Sequence, residues 1–198
     1  MSWNSEHKIQ SRKNILEAAA YLFACSGFAA VSIDDVMDAA GLTRGTFYTH
    51  FSSKSELYNE AVLYWSERTA ERIIGMISDK SFSFEDFVER YLSIGNNAEA
   101  NGKFCLLAFL VTDICHQDEE VRNTYTKTLK GYQSVLQHFK LNESEAIQAS
   151  ILLVGGLALS RATNCEAMRT QILRSSYQGA MSLAHKKERE PEPESDPE

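Results

Sequence analysis

Four places in the chain carry the residue pattern that begins an α-helix with a capping box. In a capping box, a Ser or Asn side chain accepts a hydrogen bond from a backbone N–H in the first helical turn. An acidic side chain three residues later accepts a bond from the N–H of the capping residue. No segment alternates apolar and polar residues between hairpin turns, which argues against a β-sheet. The sequence therefore predicts an all-α fold, with capping boxes at Ser32/Asp35, Ser53/Glu56, Ser83/Asp86 and Asn142/Glu145.

Apolar residues at steps of three and four predict the extent of each helix. In the first helix this stripe includes Leu16, Ala20 and Phe23, and Gly27 is the expected C-terminal cap. The same signals predict about nine helices, at residues 6–26, 33–40, 44–50, 54–78, 84–99, 104–115, 119–139, 143–163 and 166–185.

The composition predicts a globular protein rather than a membrane-spanning or disulfide-stabilised one. With 198 residues, 43% of them hydrophobic, the chain can bury a core in one or two domains. The N-terminus carries no signal-peptide pattern, and we expect no apolar segment to reach the roughly 20 residues needed to cross a bilayer. We therefore expect a cytoplasmic protein without membrane contact. The four cysteines are far apart and include no C-x-x-C pair, which favours reduced thiols over a zinc or thioredoxin-type site.

The charge distribution places a condition on any interaction with nucleic acid. Residues 1–60 carry five Lys or Arg and seven Asp or Glu, a local charge of −2, so this part of the chain is no general polycation. A nucleic-acid binder needs only cations gathered on the surface that meets the phosphates. Residues 186–198 hold three basic residues, six acidic residues and all three prolines of the chain, which predicts a disordered acidic tail.

Residues 32–58 predict two short helices joined by a tight turn, with one apolar and one polar side. Phe47 and Phe51 are four residues apart and therefore share the inward face of the second short helix. Gly41 permits the sharp turn, and Gly45 keeps side-chain bulk off the helix where a DNA backbone would approach. Such a helix can enter a major groove about 12 Å wide. The polar side chains left on or near its outer face are Thr43, Arg44, Thr46, Tyr48 and His50.

These polar residues have different expected roles on DNA. The planar fork of Arg44 matches the O6/N7 edge of guanine, and two threonines can reach neighbouring base edges. The other residues are expected to contact phosphates, through side chains or through helix starts that favour an anion. The alternative is an ordinary helical hairpin with a solvated polar face. The predicted DNA-binding set is Arg12, Lys13, Ser32, Thr43, Arg44, Gly45, Thr46, Tyr48, His50 and Lys54.

The stretch from Asn14 to Ala61 resembles the DNA-binding domain of the TetR family of bacterial transcriptional regulators. The resemblance rests on AAYLFACSGF at residues 19–28, AAGL at 39–42 and GTFYTHFSSKSEL at 45–57. It implies a three-helix domain with a helix-turn-helix motif, in which the outer face described above meets double-stranded DNA. The supporting helix is more acidic than the family pattern, since it contains Asp34, Asp35 and Asp38.

The resemblance also implies an organisation for the whole chain. Residues 1–60 would form the DNA-binding domain, and residues 61–185 would form a helical domain for ligand binding and dimerisation. Residues 186–198 would be the acidic tail. The implied protein is a repressor that binds a palindromic operator as a homodimer and releases it when an unknown small-molecule inducer binds.

Aromatic and soft side chains beyond residue 64 are candidates for a ligand pocket, although every helical domain must also bury such residues as core. Several polar residues near one predicted helix end could add hydrogen bonds to a ligand. The expected ligand contacts are Trp65, Met76, Tyr91, Phe104, Cys105, Phe109, Thr112, His116 and Tyr125.

Residues 146–160 form an unusually apolar segment with two adjacent glycines at its centre. Each glycine costs roughly 1 kcal/mol of helix propensity, which suggests that another helix packs closely there. That helix can belong to the same chain or, as the family pattern implies, to the second chain of a dimer. The expected dimer contacts are Ile151, Gly155, Gly156 and Leu159.

Other functions are weighed against this one. The sequence contains no nucleophile elbow, phosphate-binding glycine loop or zinc-binding HExxH motif, so we expect no enzyme, metal or cofactor. A helical protein-interaction adaptor would keep the dimer surface without binding DNA. A sensor of oxidants or electrophiles would use Cys105, because a helix start and the nearby Lys103 can lower a thiol pKa. Against that, an unpaired cysteine usually behaves as a small buried hydrophobe.

Overall fold

The computed structural model describes residues 2–79, 81–93 and 105–185. Within these ranges the chain forms nine α-helices and one 3-10 helix and contains no β-strand, so the predicted all-α fold is confirmed. The helices are α1 (Ser2–Ala30), α2 (Ile33–Ala39), α3 (Arg44–Phe47), α4 (Lys54–Ile77), α5 (Phe84–Leu92), α6 (Leu106–Phe109), the 3-10 helix (Ile114–His116), α7 (Glu119–His138), α8 (Glu143–Ala162) and α9 (Glu166–His185).

The helix starts follow the capping signals of the sequence closely. The starts of α2, α5 and α8 are complete capping boxes, as predicted. The start of α4 differs, because only half of the predicted box forms. The N–H of Glu56 donates to Ser53 Oγ at 3.1 Å, but the Glu56 carboxylate accepts from the N–H and hydroxyl of Ser52 instead of the N–H of Ser53.

α1 is interrupted where the sequence predicted its end. Gly27 has φ 78° and ψ 166°, a backbone conformation that residues with a side chain rarely adopt. The N–H of the next residue, Phe28, donates to a carboxylate oxygen of Asp113 at 3.1 Å. Gly27 therefore ends the regular part of α1, and the chain continues in a helical turn to Ala30.

The single helix predicted at residues 104–115 is wrong. The described part of this stretch contains α6, which has four residues, then turns and the 3-10 helix. Asp113 accepts the Phe28 N–H with one oxygen and the Tyr58 hydroxyl with the other, at 2.5 Å. These partners are 85 and 55 positions away along the chain, so a local helical pattern gives no sign of them. Phe104 lies outside the described residues.

The chain divides into two compact units. The first unit comprises Met1–Met76 and Asn97–Tyr132, and its core joins residues of α1 to α4 with Leu106, Leu110 and Ile114. The second unit comprises Ile77–Asn96 and Gln133–Glu198 and contains α5, α8 and α9. The first 60 residues are therefore part of a larger packed unit, and their separate function remains a prediction.

In the second unit, α8 and α9 lie very close together at two glycines. A Cβ atom built on Gly156 would be 1.9 Å from Ser176 Oγ and 2.8 Å from Ser176 Cβ. A Cβ atom on Gly179 would be 3.0 Å from a methyl carbon of Leu152. The close helix packing suggested by the glycine pair thus occurs within the chain at Gly156.

α8 corrects one expectation about membranes. α8 has 20 residues, and the mean hydropathy over its most apolar 18 residues is 1.2, so it is long and apolar enough to cross a bilayer by length and composition alone. The core helix of a globular protein meets the same criterion, and 39% of this 18-residue stretch is buried inside the chain. Packing against other helices of its own unit therefore accounts for part of the apolar character of α8.

Candidate DNA-binding surface

Phe47 and Phe51 hold α3 against the core of the first unit. Their side chains are 0% and 2% exposed, and their ring centroids are 5.7 Å apart. They belong to a buried cluster to which α1, α2 and α4 also contribute. The prediction that both rings point inward is confirmed, and the opposite side of α3 faces solvent.

The turn between α2 and α3 depends on Gly41. This residue has φ 67°, in the left-handed region, although a Cβ there would meet no atom within 4 Å. The backbone conformation, rather than a lack of space, therefore favours glycine. The N–H of Leu42 donates to the carbonyl of Met37 at 2.9 Å, and the N–H of Gly41 donates to that of Asp38 at 3.1 Å. This is the Schellman pattern of a helix end, and it directs the chain sharply into α3.

The outer side of α3 is polar and accessible. Thr43, Arg44, Gly45 and Tyr48 are exposed, and Thr46 is half-buried. The hydroxyls of Thr43 and Thr46 are hydrogen-bonded at 3.1 Å. The nearest atom to a Cβ built on Gly45 would be the Thr43 hydroxyl oxygen, at 3.9 Å. The backbone of α3 is therefore accessible to a binding partner at this position.

Arg44 is held by two neighbouring side chains. Its Nη1 donates to Oδ2 of Asp34 on α2 at 2.5 Å, and the two side chains are 58% and 54% exposed. A hydrogen bond with Tyr48 and the charge of Asp34 raise the pKa of Arg44. The sequence shows Asp34 as one of the acidic residues that depart from the family pattern. Its pairing with Arg44 depends on the angle at which α2 and α3 cross, which the sequence does not show.

His50 forms a second polar group with the N-terminal part of α1. Its Nε2 is hydrogen-bonded to Ser11 Oγ at 2.8 Å, whereas its Nδ1 is buried without a partner among the described residues. Burial, followed by the charges of Lys8 and Arg12, lowers the pKa of His50. Lys8 was absent from the predicted DNA-binding set. Its position four residues before Arg12 on the same helix was the available signal.

Arg12 already has partners inside the first unit. Its guanidinium forms an ion pair with Glu60 of α4 and lies 5.1 Å from the centroid of the Phe51 ring. The neighbouring Lys13 is half-buried. These contacts attach α1 to α4, and Arg12 would have to share or leave Glu60 to reach a phosphate.

Side chains occupy the predicted anion sites at helix starts. The N–H and hydroxyl of Ser32 donate to the Asp35 carboxylate at 2.7 and 2.6 Å, and these bonds lower the pKa of Asp35. Lys54, the first residue of α4, is half-buried, with Nζ 4.3 Å from the centroid of the Phe28 ring. The negative charge of Asp35 opposes a phosphate at the start of α2, while Lys54 favours one at the start of α4.

The predicted ligand contacts take different positions in the two units. Phe109 and Tyr125 pack against the core of the first unit, and the Tyr125 hydroxyl donates to the carbonyl of Leu107 at 2.6 Å. Tyr91 is buried in the second unit, with its ring centroid 6.2 Å from that of Phe87. Half-buried or exposed positions are taken by Trp65, Met76, Cys105, Thr112 and His116.

An open groove of about 660 Å³ lies between α1 and α4 in the first unit. Trp65 is the predicted ligand contact that lines it. On one side the Tyr64 hydroxyl donates to Glu17 at 3.0 Å. The groove mixes aromatic rings with charges of both signs, and its lining is Glu17, Tyr21, Trp65, Arg68, Thr69, Glu71 and Arg72.

α8 exposes an apolar stripe on the side away from α9. Ile147, Ile151 and Leu159 are 41%, 67% and 61% exposed, and a Cβ on Gly155 would meet no atom within 4 Å. Gly156 does not belong to this stripe, and its assignment to the dimer contacts stays a prediction. Adjacent positions on a helix point about 100° apart, so Gly156 faces α9 while Gly155 does not.

Comparison with known proteins gives matches centred on the helix-turn-helix part of the chain. Residues 15–61 match the family described as bacterial regulatory proteins, tetR family. The uncharacterised HTH-type transcriptional regulator YdgC of Bacillus subtilis is 29% identical over 84 residues, which are 42% of this chain and 43% of that protein. The HTH-type transcriptional regulator AcrR of Shigella flexneri is 41% identical over 51 residues, 26% of this chain and 24% of that protein. The chain thus spans less than half the length of these two relatives.

The crystal structure of a TetR-family transcriptional regulator from Cytophaga hutchinsonii extends the likeness in fold. The two structures superpose with a TM-score of 0.71 at 17% sequence identity, over 89% of this chain and 96% of the Cytophaga chain. The all-α fold and the surface around α3 define a helix-turn-helix protein. In residues 15–61 the chain is similar to the TetR family of bacterial regulatory proteins.

Proposed function

We propose that this protein is a DNA-binding transcriptional repressor that acts in the cytoplasm. It binds a palindromic operator in double-stranded DNA as a homodimer and releases it when a small-molecule inducer binds. One observation carries the proposal: Phe47 and Phe51 are buried, so the polar side of α3 is presented to solvent. A short helix presented in this way fits the major groove.

Arg44 is the proposed base-reading residue. It is exposed, and its planar guanidinium can donate two parallel hydrogen bonds to O6 and N7 of guanine. Thr43 and Thr46 stand beside it and can reach a neighbouring base edge or a thymine methyl group. Gly45 allows the backbone of α3 to approach the DNA closely.

The proposed phosphate contacts surround this reading face. They fix the position of the protein on the duplex without reading its sequence. A phosphate beside His50 would offset the burial and the neighbouring cations that disfavour its charged form. The proposed contacts are Lys8, Lys13, Tyr48, His50 and Lys54, together with Arg12 if it shares Glu60 and Ser32 if its hydroxyl leaves Asp35.

Selection of genomic fragments bound by the protein tests DNA recognition directly. We expect the bound fragments to share a palindrome, since a two-fold dimer places two copies of α3 on two half-sites. On that operator, Arg44→Ala should weaken binding about tenfold or more, whereas Arg122→Ala, an exposed arginine on α7, should not. Tyr48→Ala and Lys54→Ala should weaken specific and random DNA alike, and Lys54→Ala should reduce the salt slope by about one. Random fragments and no effect of any variant would instead support the protein-interaction adaptor.

Dimerisation is proposed to use the apolar stripe of α8. An exposed row of large apolar residues is typical of an interface, and the open space at Gly155 allows a partner helix to come close. Ile151→Asp should therefore convert the dimer into a monomer in a sedimentation experiment. Ile74→Asp, at a 55% exposed position on α4, is the matched control and should leave the dimer intact. A monomeric wild-type chain at micromolar concentration would contradict this part of the proposal.

The inducer is proposed to bind within the helical part of the chain beyond residue 60, and the sequence-predicted contacts there remain candidates. A ligand that binds one conformation better than another shifts the protein towards that conformation. A compound panel can be screened for a rise in melting temperature and then for release of the operator. Compounds that stabilise the protein without changing operator affinity would argue against inducer control.

A further inference from the structure

Asp34 stands out among the charged residues around α3. It lies in the first turn of α2 and its Oδ2 accepts a hydrogen bond from Arg44 Nη1 at 2.5 Å. The other two acids of α2 are placed differently. Asp35 accepts both hydrogen bonds of Ser32, and Asp38 is exposed near the end of the helix. Asp34 is thus the acid of α2 that contacts the proposed base-reading side chain.

This contact restricts the conformation of Arg44. An exposed arginine has several rotatable bonds, and ordering it against a base lowers the net affinity. A carboxylate that already holds one nitrogen of the guanidinium reduces the number of conformations lost on binding. The guanidinium carries five N–H groups, so a bond to Asp34 leaves others for a second partner.

Asp34 also selects what that second partner can be. A phosphate carries a full negative charge, and Asp34 repels it at the distance of a shared guanidinium. The O6 and N7 atoms of guanine are neutral acceptors, which the carboxylate disfavours far less. The pair therefore turns a cation that could bind any phosphate into a group that prefers a base edge.

We propose that Asp34 is a positioning residue that directs Arg44 to guanine and thereby sets the sequence preference of the protein. The proposal rests on the proposed function. It assigns a use to the acidic supporting helix, which is otherwise unfavourable on a surface that meets DNA. Asp34 restricts the conformation of Arg44, and Arg44 makes the contact with the base.

Asp34→Asn tests this proposal, with Asp38→Asn as the matched control. Both variants remove one negative charge from the same helix, so both should increase affinity for random duplex DNA to a similar extent. Only Asp34→Asn should reduce the preference for the guanine read by Arg44, measured against an operator with that G·C pair replaced. We expect a loss of about two- to fivefold, the range that exposed ion pairs support.

The double variant Asp34→Asn/Arg44→Ala tests whether Asp34 changes the base preference through Arg44. If Asp34 acts through Arg44, adding Asp34→Asn to Arg44→Ala should leave the base preference unchanged. A further loss in the double variant would overturn the proposal and indicate that Asp34 reads a base itself. Equal base preferences of Asp34→Asn, Asp38→Asn and wild type would also overturn it. A wild-type protein that binds operator and random DNA equally would refute the proposed function instead, so the two failures are distinguishable.

Discussion

Gly156→Ala is expected to destabilise the second unit because α8 and α9 leave no room for a methyl group there. The new Cβ would lie 1.9 Å from Ser176 Oγ and 2.8 Å from Ser176 Cβ. The hydroxyl can rotate away, but Ser176 Cβ is fixed by the backbone of α9. Carbon atoms pack at about 3.5–4.0 Å, so the helices must move apart by roughly 1 Å.

The magnitude follows from two opposing effects. Overpacking a tightly packed core costs about 1–3 kcal/mol, and replacing a mid-helix glycine by alanine gains about 0.5–1 kcal/mol. We therefore expect Gly156→Ala to lower the free energy of unfolding by about 1 kcal/mol. Gly131→Ala is the matched control, since Gly131 is exposed in the middle of α7 and a Cβ there would meet no atom within 4 Å. This control should gain about 0.5–1 kcal/mol.

Urea unfolding followed by far-UV circular dichroism measures the difference. All variants must be compared at one protein concentration, because the proposed dimerisation would couple stability to concentration. Ser176→Gly should partly rescue Gly156→Ala by removing both clashing atoms, at a cost of about 0.5 kcal/mol in helix propensity. If Gly156→Ala is as stable as Gly131→Ala, the close approach of α8 and α9 is refuted.

Three further predictions concern the first unit. The Tyr58 hydroxyl donates to the Asp113 carboxylate at 2.5 Å. A double-mutant cycle with Tyr58→Phe and Asp113→Asn, measured by urea unfolding, should therefore give a coupling free energy of about 1–3 kcal/mol. Additive effects of the two substitutions would exclude that bond. Gly27→Ala should cost about 1–3 kcal/mol, since φ 78° with ψ 166° is a conformation that essentially only glycine adopts. An unchanged melting temperature would contradict this conformation. Folding lowers the pKa of His50 below the ordinary histidine value of 6.5, so on acidification the unfolded chain takes up that proton first. Stability should therefore fall as pH drops below about 6.5, and His50→Gln should flatten this limb of a pH–stability curve; an identical curve for the variant would remove His50 as its cause.

The accuracy of the sequence predictions depended on how far apart the interacting residues are. Three capping boxes and the inward position of Phe47 and Phe51 were predicted correctly. In each case the deciding residues are three or four positions apart, and helix geometry relates them directly. The outer face of α3 followed from the same geometry, because fixing one side of a helix leaves the other to solvent.

Errors arose where a distant partner decided the outcome. The helix predicted at 104–115 is broken around Asp113, which bonds to Phe28 and Tyr58. The ion pair of Arg12 with Glu60 was likewise not predicted, while the role of Arg12 at a phosphate stays a prediction. Neither partner can be identified from the pattern around the residue itself.

The sequence by itself determined that this is a helical protein with a helix-turn-helix segment, because helix starts, apolar stripes and short turns depend on neighbouring residues. Tertiary structure alone decided which side chains around α3 are engaged. It paired Arg44 with Asp34, set His50 against Ser11, and turned Gly156 towards α9. Helix crossings bring residues from separate segments within bonding distance, and the angle and offset of a crossing depend on packing over the whole core.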